Sequence, residues 1–165
     1  SMLTGLLEPT EGRAEVFGFD AFEDMSRLRE NLGVCPQHNV LFDYLTVNEH
    51  LRLYASFKGV AEDVQQERID RMIYDMELTS VQDQLASTLS GGQKRKLSVG
   101  IALIGDSKIV MLDEPTSGMD TTTRRKFWEM LKQYKEGRIV ILTTHYMDEA
   151  DMLGDRICIM AEGKI

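Results

Sequence analysis

The sequence has few cysteines, no long apolar run and no secretion signal. Its two cysteines, Cys35 and Cys158, lie in separate apolar segments outside any C-x-x-C pair, so we expect buried reduced thiols rather than a zinc site or a disulfide. No apolar stretch approaches the roughly 20 residues that a membrane-spanning helix needs. The first residues lack the basic segment that precedes the apolar stretch of a secretion signal. These absences predict a soluble domain in a reducing, cytosolic environment.

Positive charge is also scarce. The chain has 19 lysines and arginines against 27 aspartates and glutamates, which gives a net charge of −8 at pH 7. The phosphate backbone of nucleic acids repels so acidic a domain, and the sequence therefore predicts no nucleic-acid partner. The content of 42% hydrophobic and 28% charged residues is ordinary for a globular protein, and 165 residues suffice for one domain with a core.

One phosphate-binding pattern is absent. The glycine-rich loop G-x-x-x-x-G-K-[ST] occurs nowhere in the chain. Its nearest approximation, the tripeptide Gly163-Lys164-Ile165, lacks both the earlier glycine and the hydroxyl residue.

Three short β-rich runs predict a buried parallel sheet. They are residues 31–35, 109–112 and 139–143, and they are nearly apolar throughout, as strands covered on both faces must be. Residues 156–160, followed by a turn at Glu162 and Gly163, predict a further strand, and the alternating residues 14–17 predict a half-exposed one. We therefore expect a mixed sheet.

Helix patterns separate the strands. Thr46 with Glu49 three residues later forms a capping-box pattern, which predicts a helix from this point to Gly59. Two further helices are indicated by apolar residues at helical spacing, namely Ile69, Met72, Ile73 and Met76, and then Phe127, Met130, Leu131 and Tyr134 before Gly137. Residues 42–89 are thus predicted to form a helical subdomain inserted between the strand-forming halves of a single domain, residues 1–165.

Two adjacent carboxylates end the second apolar strand. Asp113 and Glu114 follow four apolar residues, and a buried parallel strand delivers such side chains to the carboxyl edge of the sheet, where ligands bind. One carboxylate can hold magnesium while the other faces an attacking water, a division of roles that phosphoryl transfer needs. We assign Asp113 to the metal and Glu114 to the water. Taken alone, such a strand end is often simply solvated, so the assignment depends on the neighbouring motifs.

A glycine-containing turn before a helix is the second motif. It consists of Leu89, Ser90, Gly91, Gly92 and Gln93, and a basic, then apolar helix pattern follows it. Glycine amides, a serine hydroxyl and a helix N-terminus together bind phosphate oxygens. A plain helix N-cap is the alternative interpretation of the same residues. The carboxylate strand that comes next in the chain favours phosphate binding.

Two more polar residues follow predicted strands. His145 comes after the third apolar strand, so we expect it at the same sheet edge as Glu114, within reach of a γ-phosphate. Gln37 follows the first apolar strand, and its amide is expected to reach the metal or the attacking water. For His38 and His50 we expect structural roles.

Taken in this order, the motifs resemble those of the nucleotide-binding domain of an ABC transporter, over essentially all 165 residues. The family's signature corresponds to residues 89–93, its Walker B strand to residues 109–114, its D-loop to residues 117–120, its Q-loop to Gln37 and its switch histidine to His145. The resemblance implies an α/β, P-loop NTPase-like ABC ATPase core with an inserted α-helical subdomain, and ATP and Mg²⁺ as its ligands. The implied site residues are Glu114 and His145 for catalysis, Asp113 and Gln37 for the metal, and Gln37, Ser90, Gly91, Gly92, Gln93 and Asp120 for the nucleotide.

Finer features resemble the A subfamily of lipid-exporting full transporters. They lie in residues 35–43, 94–98 and 144–151. The resemblance implies a motor at the cytoplasmic face of a membrane that drives lipid or sterol export. It also implies that two such domains sandwich two ATP molecules head to tail, with the signature acting on the partner's nucleotide. Cytoplasmic loops of the transmembrane domains would contact the groove between Gln37 and the helical subdomain.

The chain departs from the family pattern at its front. In the family, the phosphate loop lies just upstream of the helix that residues 3–7 would continue, and a central strand of the sheet precedes it. We therefore expect an ABC ATPase core that is incomplete at the N-terminus, with very weak ATP affinity and no hydrolysis by this chain alone. Neighbouring strands would keep unpaired backbone groups, through which the chain is expected to self-associate.

Two other functions share some of these motifs. The ATPase head of a chromosome-maintenance or DNA-repair protein has the signature and the carboxylate strand, but it inserts a long coiled coil. The segment from Gln37 to Leu89 is short and lacks sustained heptads, and the acidic charge disfavours DNA. A noncatalytic regulatory half would have no need of Glu114 and His145.

Overall fold

A computed structural model describes residues 2–5, 7–8 and 10–164. Its strands are β1 (Glu15–Val16), β2 (Phe19–Asp20), β3 (Leu32–Cys35), β4 (Ile109–Asp113) and β5 (Ile139–Thr143). Its α-helices are α1 (Met25–Glu30), α2 (Val47–Phe57), α3 (Glu62–Asp75), α4 (Gly91–Leu103), α5 (Thr121–Lys135) and α6 (Met147–Leu153). Short 3₁₀ helices lie at Met2–Thr4, Thr79–Val81 and Ala86–Thr88.

The three apolar strands form one parallel sheet with β4 in the middle. Leu32 pairs with Ile109 at one end of the sheet, and Asp113 pairs with Thr143 at the other end. Because the strands run in the same direction, the residues that follow them meet at one edge. This carboxyl edge therefore brings together the loops after β3, β4 and β5.

Apolar side chains from the helices and from the sheet form one core. Leu51 of α2 and Ile69 of α3 are fully buried, and they belong to the same cluster as Val110 of β4. Every residue of α4 from Arg95 to Leu103 is buried, and α4 packs against both β3 and α2. The helical segment at residues 42–89 therefore shares its core with the sheet.

The predicted start of α2 is confirmed. Thr46 Oγ1 accepts a hydrogen bond from the Glu49 amide at 3.2 Å, and the Glu49 carboxylate accepts one from the Thr46 amide at 2.8 Å. The bond from the Thr46 amide lowers the pKa of the Glu49 carboxyl. The helix ends near Gly59, whose φ of 69° suits glycine at a helix end. His50 is fully buried and has the predicted structural role, because its Nε2 accepts from the Phe42 amide at 2.9 Å.

The predicted mixed sheet is wrong. In the described part of the chain, β1 and β2 pair only with each other, as a separate antiparallel sheet in which Glu15 lies opposite Asp20. The two residues between the strands, Phe17 and Gly18, have φ values of 54° and 79°. Such positive φ values close a tight two-residue hairpin. The half-exposed strand expected at residues 14–17 therefore exists, but it pairs with the next residues along the chain instead of joining the parallel sheet.

Two predictions for the last third of the chain are also wrong. β5 is not covered on both faces, since Ile139 and Ile141 are 50% and 41% exposed. Residues 156–160 form no strand, and Ile157 and Ile159 within them are 54% and 69% exposed. The apolar pattern resembles that of a buried strand, but burial also requires a neighbouring layer. Among the described residues, no element covers these side chains.

The two cysteines differ in burial. Cys35 is buried in β3, whereas Cys158 is exposed because it lies in the uncovered segment, so the prediction of two buried thiols is half wrong. Burial raises the pKa of the Cys35 thiol to about 11. In the described residues, no helix has both the length and the apolar character that crossing a bilayer requires.

The N-terminal residues do not continue a long helix. The 3₁₀ turn ends at Thr4, and Gly5 follows with a φ of 69°. Leu6 lies outside the described residues, as does Ile165 of the tripeptide that approximates a phosphate loop. The helix expected over residues 3–7 is therefore wrong for the part that is described.

Candidate functional site

The two adjacent carboxylates lie at the carboxyl edge of the parallel sheet. Asp113 is the last residue of β4, and its Oδ1 accepts a hydrogen bond from Thr143 Oγ1 of β5. Glu114 follows in the left-handed region with a φ of 49°, and its amide donates to the Thr143 carbonyl at 2.9 Å. A non-glycine residue in this conformation is strained, and such strain clusters at functional sites.

His145 lies beside Glu114. Its Nδ1 is 3.3 Å from Glu114 Oε1, and the two side chains are 57% and 26% exposed. The contact forms because β4 and β5 are neighbours, so that the loops after them lie side by side. The His145 ring also packs on the adjacent Tyr146, with 4.0 Å between ring centroids. Sequence reasoning therefore placed His145 at the correct edge.

The glycine-containing motif forms the start of α4. Ser90 is the N-cap, its Oγ accepts from the Gln93 amide at 3.3 Å, and Gln93 Oε1 accepts from the Ser90 amide at 2.8 Å. A side chain at Gly91 or Gly92 would meet no other atom within 4 Å. The simple N-cap interpretation is thus correct for Ser90 and Gln93. The glycine backbone nevertheless faces open space, where a phosphate group can approach.

Arg95, one turn into α4, connects this motif to the sheet edge. The side chain is only 2% exposed, and its guanidinium donates to the carbonyls of Pro36, at 2.6 Å, and Gln37, at 3.2 Å. It also donates to Asn39 Oδ1 at 3.3 Å and to the Asp113 carbonyl. A single cation therefore binds the loop after β3 to the end of β4. Sequence reasoning missed this role, since a basic residue at the start of a helix pattern indicates solvent exposure.

Asp120 has a local structural role. It is the N-cap of α5, and its carboxylate accepts from the amides of Thr122 and Thr123, both at 3.0 Å, and from Thr123 Oγ1 at 2.5 Å. The hydrogen bonds from Thr123 lower the pKa of Asp120. The side chain remains exposed. Asp120 therefore orients the segment between Glu114 and α5, while its assignment to the nucleotide stays a prediction.

The residues expected to hold magnesium suit this ion when phosphate oxygens supply the remaining ligands of its coordination shell. Asp113 and Gln37 are both exposed and offer carboxylate and amide oxygens at the same edge. No group of three His, Cys, Asp or Glu side chains in the described residues could hold a metal by itself. Magnesium commonly binds through one or two carboxylates together with substrate phosphates and water. The donor set thus suits Mg²⁺ bound with a nucleotide.

The match to known proteins agrees with this geometry. A family model with the description "ABC transporter" matches residues 1–117. The chain belongs to the ABC transporter family.

Several relatives of the chain are members of the A subfamily of ABC transporters. It is 52% identical over 165 residues to ATP-binding cassette sub-family A member 2 of Rattus norvegicus, and 53% identical to phospholipid-transporting ATPase ABCA3 of Mus musculus. All of the chain takes part in each match, yet it covers only 7% and 10% of these relatives. The sequence prediction of an A-subfamily domain is confirmed.

Solved structures confirm the predicted ABC ATPase fold. One of them is a dimeric post-hydrolysis state of an ATP-binding cassette bound to ADP and Pi, which matches 92% of this chain and 70% of its own length. The TM-score is 0.82 at 25% identity.

Proposed function

We propose that the chain is the ATP-hydrolysing motor domain of a transporter that exports phospholipid or sterol across a membrane. The contact between Glu114 Oε1 and His145 Nδ1, 3.3 Å long at the carboxyl edge of the sheet, carries this proposal. A carboxylate and an imidazole held together beside Asp113 are the groups that water activation and γ-phosphate contact require. The mouse relative is a phospholipid-transporting ATPase, and this similarity supports the substrate class.

Each side chain has a separate role in this proposal. Glu114 orients the attacking water and accepts its proton, and His145 donates a hydrogen bond toward the γ-phosphate oxygens. Thr143 donates a hydrogen bond to the Asp113 carboxylate, which would hold Mg²⁺ together with Gln37. When bound, Mg²⁺ neutralises charge that develops on the phosphate oxygens. The strained backbone of Glu114 fixes the direction of its carboxylate before the nucleotide arrives.

A second nucleotide-binding domain is required to complete each site. The start of α4 is open at Gly91 and Gly92, where an added Cβ would meet no atom within 4 Å. An open helix N-terminus attracts anions, so this surface suits the phosphates of a nucleotide bound to a facing domain. The dimeric state of the similar cassette supports such a pairing.

The loop after β3 offers a surface for the membrane-spanning part of the transporter. Val40, Phe42 and Tyr44 are 67%, 54% and 89% exposed, and Val40 lines a small cleft of about 70 Å³ together with Pro36 and Tyr54. Exposed apolar side chains beside a cleft suit a short helical loop from another domain. We propose that cytoplasmic loops of the transmembrane domains bind here, which places the chain at the cytoplasmic face.

The 165-residue chain by itself is expected to bind ATP very weakly and to hydrolyse none. It contains no G-x-x-x-x-G-K-[ST] loop, whose amides and lysine supply most of the contacts to the phosphates. Isothermal titration calorimetry checks this, and saturable millimolar binding that Asp113→Asn abolishes would contradict it. Exposed Ile139, Ile141 and Ile159 also predict self-association, visible as a sedimentation coefficient that rises with concentration.

The proposal is tested in the intact transporter reconstituted into phospholipid vesicles. Asp113→Asn is expected to lower ATP turnover by about 100-fold, the scale on which one lost electrostatic stabiliser acts, and ATP-driven movement of labelled phospholipid should fall with it. Asp106→Asn is the matched control, because Asp106 is an exposed aspartate near the opposite end of β4. Turnover that survives Asp113→Asn, or hydrolysis without lipid movement in the unmodified protein, would contradict the proposal.

A further inference from the structure

A buried glutamate of α6 contacts both the segment that follows β4 and helix α5. Glu149 is fully buried, and its Oε1 accepts hydrogen bonds from Thr116 Oγ1 at 2.8 Å and from Trp128 Nε1 at 2.9 Å. Thr116 lies two residues after Glu114, and Trp128 lies on α5. Glu149 itself lies four residues after His145. One carboxylate oxygen of Glu149 thus joins α6, which begins two residues after His145, to the segment that follows β4.

A second set of contacts, made by aromatic rings and an arginine, connects α5 to the residue that follows His145. The guanidinium of Arg124 lies 4.1 Å from the centroid of the Tyr146 ring and 5.9 Å from that of Trp128. The Tyr146 ring packs on His145 with 4.0 Å between centroids. Glu114 therefore contacts His145 on one side. On the other side, Tyr146 packs on His145, and Arg124 connects Tyr146 to Trp128.

Only one of the two carboxyl oxygens of Glu149 makes hydrogen bonds to the described residues. Its second oxygen, Oε2, is buried without a hydrogen-bond partner in the described residues. Burying a carboxylate with one oxygen unpaired is costly, and a neutral side chain of similar size would avoid that cost. A buried polar group kept in such surroundings requires an explanation. Its two hydrogen bonds to the catalytic segments supply one.

We propose that Glu149 is a positioning residue that holds the start of α6, and with it His145, against Glu114. The proposal rests on the function proposed above, since it assumes that His145 acts in ATP hydrolysis. The carboxylate acts through its hydrogen bonds to Thr116 and Trp128 and touches no substrate. Glutamine keeps an oxygen for both donors, so Glu149→Gln preserves the geometry, whereas Glu149→Ala removes both bonds and leaves a cavity.

The position of His145 can be measured without ATP turnover. The chain has three histidines, so their imidazole proton resonances are few, and His145→Gln identifies one of them. His145 packs against a ring, and displacement from Tyr146 therefore moves its resonance. We expect this shift in Glu149→Ala and its absence in Glu149→Gln, with the resonance of buried His50 unchanged as a sign of an intact fold. Asp151→Asn is the matched control, because it removes a charge from an exposed position on the same helix.

Kinetics in the intact transporter supply the second measurement. A displacement of about 1 Å at a reacting centre costs on the order of 100-fold in rate, so we expect Glu149→Ala to lower kcat roughly 10- to 100-fold. KM for ATP should change less than about twofold, because the residue acts on the reacting geometry and not on nucleotide contacts. Glu149→Gln should restore kcat to within about threefold, and Asp151→Asn should have no effect.

Thr116→Val and Trp128→Phe keep the test informative if Glu149→Ala fails to fold. Each removes one of the two hydrogen bonds, and each should move the His145 resonance part of the way. An unmoved resonance in these variants would overturn the positioning role, as would a kcat for Glu149→Gln as low as that for Glu149→Ala. A resonance that moves while turnover stays intact would instead contradict the catalytic role of His145 and so the proposed function.

Discussion

The helical segment around α2, α3 and α4 and the segment from β5 to the C-terminus are both rich in apolar residues, but these residues differ in burial. Leu51 and Ile69 in the helical segment are fully buried, whereas Ile139 and Ile159 in the C-terminal segment are 50% and 69% exposed. The helical segment packs on the sheet through α4, while the described residues supply no cover for the outer side of β5. An apolar run is therefore buried only where another element packs against it.

We expect the largest loss of stability from replacing Arg95, which belongs to the helical segment. Arg95→Met removes the donor for the carbonyls of Pro36, Gln37 and Asp113. These hydrogen bonds are part-buried, and each acceptor left unpaired costs about 1 to 3 kcal/mol, so we expect the free energy of unfolding to fall by roughly 3 kcal/mol. Denaturant unfolding measures this loss. Lys94→Met on the same helix serves as the control, and equal losses in the two variants would contradict the role given to Arg95.

A pair of truncations tests the burial difference itself. Leu51→Ala is expected to lower the free energy of unfolding by about 2 to 5 kcal/mol, because it opens a cavity in the core. Ile141→Ala, at a side chain that is 41% exposed, should cost less than about 1.5 kcal/mol. Thermal and urea unfolding check both values. A larger loss for Ile141→Ala than for Leu51→Ala would mean that the edge of β5 is covered in solution.

The smallest expected effect is a change in how the melting temperature depends on pH when Glu77 is replaced. Lys96 donates to Glu77 at 2.5 Å and so lowers the pKa of Glu77 below its ordinary value of 4.5. A lowered folded-state pKa stabilises the protein above the ordinary value, and this stabilisation is lost as the pH falls through the folded-state pKa. Glu77→Gln should therefore flatten the decline of the melting temperature below about pH 4.5.

The control for this pH dependence lies in the C-terminal segment. Asp155 is exposed and pairs with Lys135 at 2.7 Å. An exposed ion pair contributes little, so Asp155→Asn should change the free energy of unfolding by less than about 0.5 kcal/mol. If Glu77→Gln leaves the acid limb unchanged, the ion pair between Glu77 and Lys96 does not stabilise the folded state.

The sequence predicted those features that depend on local spacing or on strand order. Thr46 and Glu49 form their capping box within one turn of helix, so four residues are enough to predict it. Glu114 and His145 were predicted to share an edge because both follow apolar strands, and parallel neighbours bring such residues together. Their catalytic roles stay predictions.

Other features depend on contacts that sequence spacing does not reveal. Arg95 is buried because residues 36–39 fold over it, and Glu149 is buried because Thr116 and Trp128 meet at its carboxylate. Both are charged residues in helix patterns, where solvent exposure is the usual outcome. The exposed face of β5 was mispredicted for the converse reason, since its apolar residues do not specify a covering layer.

The most direct test of the account is ATP turnover by the intact transporter carrying Glu114→Gln. Glutamine keeps the shape of the side chain but cannot accept the proton of the attacking water, so turnover should fall by at least about 100-fold while ATP binding is retained. Glu129→Gln, at an exposed glutamate on α5, should turn over ATP at the unmodified rate. Unchanged turnover in Glu114→Gln would contradict the assignment of the Glu114 carboxylate as the group that activates water.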